Sequence, residues 1–80
     1  STFKNPIKQT DKKVWELIRE SVPLSTRFGD ACISEKHSNF FINRGNATFR
    51  DMKSLIDFVA ESVFKKTGIS IEKEIKILEN

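Results

Sequence analysis

The stretch Ala31-Cys32-Ile33-Ser34-Glu35-Lys36-His37-Ser38-Asn39-Phe40-Phe41-Ile42-Asn43 is apolar at both ends and polar in the middle. That pattern predicts a strand over 31–34, an irregular polar segment, and a second strand over 39–43. His37, the single histidine of the chain, lies in the polar part among a serine, a glutamate, a lysine and an asparagine. Two readings follow. One is a solvated turn, because polar residues cluster in loops whatever the function. The other is a ligand surface. Composition by itself favours the turn.

Working upstream, Leu24 to Asp30 reads as a loop leading into the first strand, with Gly29-Asp30 as a turn or bulge signal. Before it, Val14, Trp15, Ile18 and Val22 share a face at helical spacing, with Leu17 beside them. Thr10 or Asp11 is the expected cap of this helix, and Pro23 ends it near Val22. Trp15 is expected to anchor the core, since it lies among aliphatic positions of an amphipathic pattern. Phe3 fits a short extended piece that Pro6 stops.

Working downstream, Asn43-Arg44-Gly45-Asn46 reads as a tight turn. A long helix follows over 49–67, capped by Thr48, with Asp51 three residues on as a weak capping box. Met52, Leu55, Ile56, Val59 and Val63 form its apolar stripe, widened by Phe49. Lys65 and Lys66 suit the negative helix end, and Gly68 is a stop signal. Phe58 and Phe64 lie beyond the stripe, with helix one or another domain as the surfaces they could meet. From Ile69 to Leu78 the chain alternates, with Ile69, Ile71, Ile75 and Ile77 on one parity, which predicts a half-buried strand. Lys73 has the parity of the isoleucines, so a bulge is expected there. The fold class is α+β: a small sheet of three to four strands with two helices packed on one face. The other face of the sheet is expected to be polar.

A chain of 80 residues makes one small domain with a modest core. Its segments are too short and too charged for a membrane span, and no signal peptide opens it. The start at Ser1 fits methionine removal or a cut at a domain boundary. One cysteine excludes an internal disulfide, and one cysteine with one histidine excludes a plausible zinc set. Cys32 reads as a buried small hydrophobe, and the chain as reduced and intracellular. The net charge of +3 is spread along the chain. That suits an anionic ligand better than nucleic acid, which needs a clustered basic stripe. Asn46-Ala47-Thr48 matches a glycosylation sequon, by chance in this setting.

Four blocks carry a resemblance. They are Ser1-Thr2-Phe3-Lys4-Asn5-Pro6, Ser34-Glu35-Lys36-His37-Ser38-Asn39-Phe40-Phe41-Ile42-Asn43, Gly45-Asn46-Ala47-Thr48 with Asp51, and Gly68-Ile69-Ser70-Ile71-Glu72-Lys73-Glu74-Ile75. In order and spacing they resemble the carboxy-terminal domain of the UDP-N-acetylenolpyruvoylglucosamine reductase (MurB) family, in the version of its second type. The likeness covers essentially the whole chain. It implies a bacterial cytoplasmic flavoenzyme of peptidoglycan synthesis that uses NADPH and FAD to reduce a UDP-sugar enolpyruvyl ether to a lactyl ether. FAD would sit on the preceding domains, outside this chain, as would an arginine that relatives use in catalysis. The isolated chain is therefore not expected to turn over.

Residue by residue, the resemblance implies Ser1 as proton donor and Glu74 as the carboxyl group that steadies the enolate. It implies Asn5 near the UDP diphosphate and His37 in contact with the UDP moiety, with Lys36 adding positive potential. One departure stands out. Many relatives have Leu-Lys-Gly where this chain has Pro23-Leu24-Ser25, so a nucleotide-contacting lysine falls on Leu24. Either a nearby basic residue such as Arg27 takes over, or nucleotide affinity is weaker.

A second class, a stand-alone binding module for RNA or another anion, fits the size and charge. Against it, no Gly-x-x-Gly loop is present, and the adjacent Phe40 and Phe41 point to opposite faces, so they cannot form one stacking platform. A structural remnant without activity is the third possibility.

Overall fold

A computed structural model describes residues 1–74. The element order is α1 (Val14–Ser21), β1 (Arg27–Phe28), β2 (Ala31–Ile33), β3 (Phe41–Asn43) and α2 (Phe49–Thr67). The strands form one antiparallel sheet in the order β1-β2-β3. Helix α2 packs on β1 and β2 and also against α1. This is the expected α+β arrangement.

Helix α2 forms where the apolar stripe predicts it. Leu55, Ile56, Val59 and Val63 are buried along one side. Its start is a complete capping box: Thr48 Oγ1 accepts from the Asp51 amide and Asp51 Oδ2 from the Thr48 amide, each at 3.0 Å. Together these satisfy two amides that the first turn leaves open. Gly68 ends it in a left-handed conformation, φ 78°, with its N–H on the Phe64 carbonyl. Asp51 also backs the β1–β2 turn. Gly29 has φ +58°, and a Cβ there would lie 2.5 Å from Asp51 Oδ2. Glycine therefore meets two demands at once, a positive φ in a two-residue hairpin and close approach to the helix cap.

The pair β2–β3 sets Ala31 opposite Asn43, Cys32 opposite Ile42 and Ile33 opposite Phe41. Ala31 and Ile33 join Phe3, Val14, Leu17, Ile18, Val22 and the α2 stripe in one core, with Phe41 packed against it. Phe40 and Phe41 do part to opposite sides. Phe41 meets Phe3 edge-on, 6.0 Å between ring centres, while Phe40 is 45% exposed. Cys32 is a free, buried thiol.

Several expectations need correction. The two central strands are shorter than 31–34 and 39–43, because Ser34 and Phe40 already belong to the loop mouth, joined by one Ser34 N–H to Phe40 carbonyl bond of 2.8 Å. The stretch 24–30 is not all loop, since Arg27–Phe28 pairs as β1. Trp15 is 40% exposed. Helix α1 has one main packing partner, so only its Val14, Leu17, Ile18 face is covered, and Trp15 falls to its edge. The outer sheet face is not simply polar: Arg44 Nε lies 3.1 Å from Cys32 Sγ, beside the part-exposed Ile42. Phe58 rests on Phe28 of β1, 5.8 Å between ring centres, rather than on α1.

The predicted terminal strand is reduced, within the described residues, to one antiparallel bridge between Phe3 and Lys73. Lys73 holds that bridge and is no bulge; the predicted continuation over 75–78 lies outside the described residues. Gln9 fastens the same segment, its side-chain amide donating to the Ser70 carbonyl at 2.8 Å and accepting from the Ser70 N–H at 3.1 Å.

The start of α1 also departs from expectation. Neither Thr10 nor Asp11 caps it. Thr10 Oγ1 accepts from the Lys12 amide in the turn ahead, and the helix opens at Val14 after Lys13, whose side chain makes no cap bond. The cap comes from outside, as Asn5 Oδ1 accepts from the Val14 N–H at 2.9 Å. Asn5→Ala is therefore expected to cost about 1 kcal/mol, like the loss of an ordinary N-cap. Denaturant unfolding of the two chains tests this, and an unchanged midpoint sinks the assignment.

Candidate functional site

The expected proton donor and carboxyl group come to one end of the bridge. Residues 2–4 run antiparallel to 72–74, with the Lys4 N–H on the Glu72 carbonyl and the Glu74 N–H on the Thr2 carbonyl, both at 2.9 Å. Glu74 thus pairs with Thr2, and Ser1 is the next residue of the chain. Alternation in an extended ladder sets Glu74 on the side of Thr2 and Ser1 on the side of Phe3. The two straddle the end of the ladder and make no hydrogen bond with each other. Both are exposed, so any dry cleft around them needs walls from outside the described residues.

The loop 34–40 lies against this segment. The Thr2 N–H donates to the Asn39 carbonyl at 2.8 Å. The Asn39 side chain makes two more bonds to Phe3, Oδ1 accepting from its N–H and Nδ2 donating to its carbonyl, each at 3.0 Å. Asn39 is 4% exposed. Ser38, also buried, donates from Oγ to the Trp15 carbonyl at 2.8 Å and fixes the loop on α1. With its last residues held inward, the loop presents Lys36 and His37 outward. The His37 ring lies flat on Phe40, 4.4 Å between centres with planes 15° apart. Stacking holds the ring by its face and leaves both nitrogens without a hydrogen-bond partner among the described residues.

Two open cavities flank this framework. One, of about 340 Å³, is lined by Lys4, Asn5, Lys8, Gln9, Ser70 and Glu72, among others. Asn5 uses its oxygen to cap α1, which leaves its NH2 group to donate to a ligand. The other, of about 360 Å³, is walled by Trp15, Arg19, Leu24, Glu35, Lys36, His37 and Ser38. So His37 and Lys36 share a cleft, and Asn5 lines a different one. Asn5, in the wall of the first, bonds the Val14 N–H, and Trp15, in the wall of the second, is the next residue of α1.

Leu24 is in the wall of the second cleft. Arg27 is turned to the hairpin, where it bonds the Gly29 carbonyl and Asp30. Two cations line the cleft, Lys36 and Arg19, the latter one helical turn beyond Trp15. Sequence reasoning missed both Arg19 and Trp15. The available signal was their spacing, four residues apart on the edge of the apolar stripe. Arg19, Lys36 and His37 suit a phosphate, since guanidinium and imidazole N–H groups both donate to its oxygens. Among the described residues no cluster of His, Cys, Asp and Glu could hold a metal ion, and no helix is long and apolar enough to cross a membrane.

Comparison with known proteins gives consistent matches. Residues 1–78 match the family model described as UDP-N-acetylenolpyruvoylglucosamine reductase, C-terminal domain. A UDP-N-acetylenolpyruvoylglucosamine reductase of Pelagibacter ubique is 70% identical over 78 residues, 98% of this chain and 26% of that protein. The reductases of Rickettsia typhi and Rickettsia akari are 46% identical over 76 residues and 45% over 78, covering 95% and 98% of this chain and 25% of each relative. The chain spans about a quarter of the length of these relatives.

Proposed function

The chain belongs to the family of the UDP-N-acetylenolpyruvoylglucosamine reductase C-terminal domain, and from that premise we propose that it forms the substrate-binding and proton-delivering part of such a reductase. In this reading it acts in the bacterial cytoplasm, in peptidoglycan synthesis, as a single domain behind FAD-binding domains of the same enzyme. The substrate is UDP-N-acetylenolpyruvoylglucosamine and the product UDP-N-acetylmuramate. FAD, reduced by NADPH, supplies the hydride.

Once hydride reaches the terminal carbon of the enolpyruvyl group, negative charge develops on the neighbouring carbon and spreads into the carboxylate. That carbon then takes a proton. The Ser1 hydroxyl delivers it, a weak acid in water that becomes effective beside developing charge. Glu74 and an arginine from elsewhere in the enzyme steady the enolate. The observation that supports the reading is the ladder register, which sets Glu74 opposite Thr2 and so brings Ser1 and Glu74 to the same end of the ladder, on its two faces.

His37, Lys36 and Asn5 bind the nucleotide diphosphate, with Arg19 standing in for the lysine replaced by Leu24. In the full-length reductase, His37→Ala is expected to raise KM for the UDP-sugar about tenfold and to leave kcat within about twofold, the loss of one charge-assisted hydrogen bond made equally in ground and transition states. Steady-state NADPH oxidation at varied UDP-sugar reads both constants. A collapsed kcat at unchanged KM removes His37 from the binding site, and no turnover of this substrate by the unmodified enzyme overturns the function itself.

A further inference from the structure

We propose that Asn39 is the positioning residue of the proton-delivery step, holding Ser1 in line through the backbone of Thr2 and Phe3. The proposal rests on the reading of Ser1 as donor. The hydrogen bonds on either side of the Phe3–Lys73 bridge make it a non-hydrogen-bonded pair, so the N–H and carbonyl of Phe3 point away from residues 72–74. Phe3 is 2% exposed, and without a partner both groups would be buried and unsatisfied.

The Asn39 side chain supplies that partner. Its amide sets one acceptor and one donor side by side in a plane, as the edge of a strand does. Both bonds to Phe3 measure 3.0 Å, and the Asn39 carbonyl takes the Thr2 N–H at 2.8 Å. Two parallel bonds fix the rotation of the segment about its own axis, which a single bond cannot do. Residues 2–4 are thereby locked between Asn39 on one flank and 72–74 on the other. Ser1 follows directly from the locked piece.

The device also links two jobs. Asn39 ends the loop whose outward residues, Lys36 and His37, face the second cleft. The side chains that bind substrate and the hydroxyl that protonates it are therefore referenced to one short loop. A shift in that loop moves both together and preserves the distance between the anchored nucleotide and the donor. Other residue types do not reproduce this. Asp keeps the acceptor and lacks the donor, Gln is one methylene too long, and Ala leaves two buried backbone groups unpaired.

The test uses the full-length reductase and stopped-flow kinetics of each half-reaction, in H2O and in D2O. Asn39→Ala is expected to slow oxidation of the reduced enzyme by the UDP-sugar about 10- to 100-fold, the scale of an ångström-level misplacement. KM should stay within about threefold, reduction by NADPH should be unchanged, and the solvent isotope effect on substrate reduction should rise. Asn39→Asp should fall between Asn39→Ala and the unmodified enzyme, and it decides the matter where Asn39→Ala does not fold. Val59→Ala, which thins the core under α2 away from this clamp, should lower the melting temperature and leave the rates and isotope effect as they were. Unchanged oxidation in both Asn39 variants, with Ser1→Ala slow, overturns the positioning role alone. Unchanged oxidation in Ser1→Ala overturns the donor reading, and the proposal with it.

Discussion

Ser1→Ala in the full-length reductase is expected to slow reduction of the enolpyruvyl group by about 10²- to 10⁴-fold, the range for removing a positioned general acid. Reduction of the enzyme by NADPH should proceed at its normal rate, because no proton from Ser1 enters that half. The split is informative. Loss of folding or of domain contact would slow both halves. Loss of substrate affinity would vanish at saturating UDP-sugar, whereas loss of the donor persists there. Equal slowing of both halves rejects the role. The exposure of Ser1 in this domain fits a residue whose acid strength depends on a site completed from outside, since a serine hydroxyl in water barely donates. Ser1→Cys is expected to recover part of the rate, as a thiol is the stronger acid.

Phe3→Ala should be the most destabilising single change near the site, at about 3–5 kcal/mol for a buried aromatic cut back to a methyl group. For a chain of 80 residues, whose whole stability is on the order of 4–12 kcal/mol, that is a large fraction. Phe3 is 2% exposed and meets Phe41 edge-on, so its ring ties the first segment to the sheet. The same residue carries the bridge to Lys73 and both bonds to the Asn39 side chain. Thermal unfolding of the 80-residue chain, read by circular dichroism, should show a fall of more than about 10 °C for a loss of that size. Ile42→Ala, on the open face of the sheet, should cost under about 1 kcal/mol. Similar shifts for the two substitutions would show that Phe3 is not part of the core.

Much of the frame was legible in local pattern. The α2 stripe, its Thr48–Asp51 box and its Gly68 stop all rest on spacings of three to four residues, which the geometry of a helix enforces. The opposition of Phe40 and Phe41 follows from the period of two in a strand. Trp15 was misread because an amphipathic pattern shows how wide an apolar face is, not how much of it a neighbour covers; with α2 as the main packing partner, the covered arc of α1 is narrow. The terminal alternation was read as a strand, yet a strand exists only where a partner exists, and among the described residues Phe3 alone bridges to it.

What the sequence by itself determined is the two helices, the β2–β3 pair, most of the core, and through four spaced blocks the family and the residues to watch. Only the tertiary structure decided how those residues are held. Asn5 caps a helix 9 positions away, Asn39 clamps a strand 36 away and Gln9 fastens a segment 61 away. Each uses a side-chain amide to satisfy backbone groups that its neighbours in sequence leave open. Arg19 joins Lys36 and His37 only because α1 docks against the loop through Ser38. Helix and strand periodicities carry information across a few residues, and contacts of this reach leave no periodic trace. They are set when burial of the shared core brings the segments together and every buried N–H and carbonyl needs a partner.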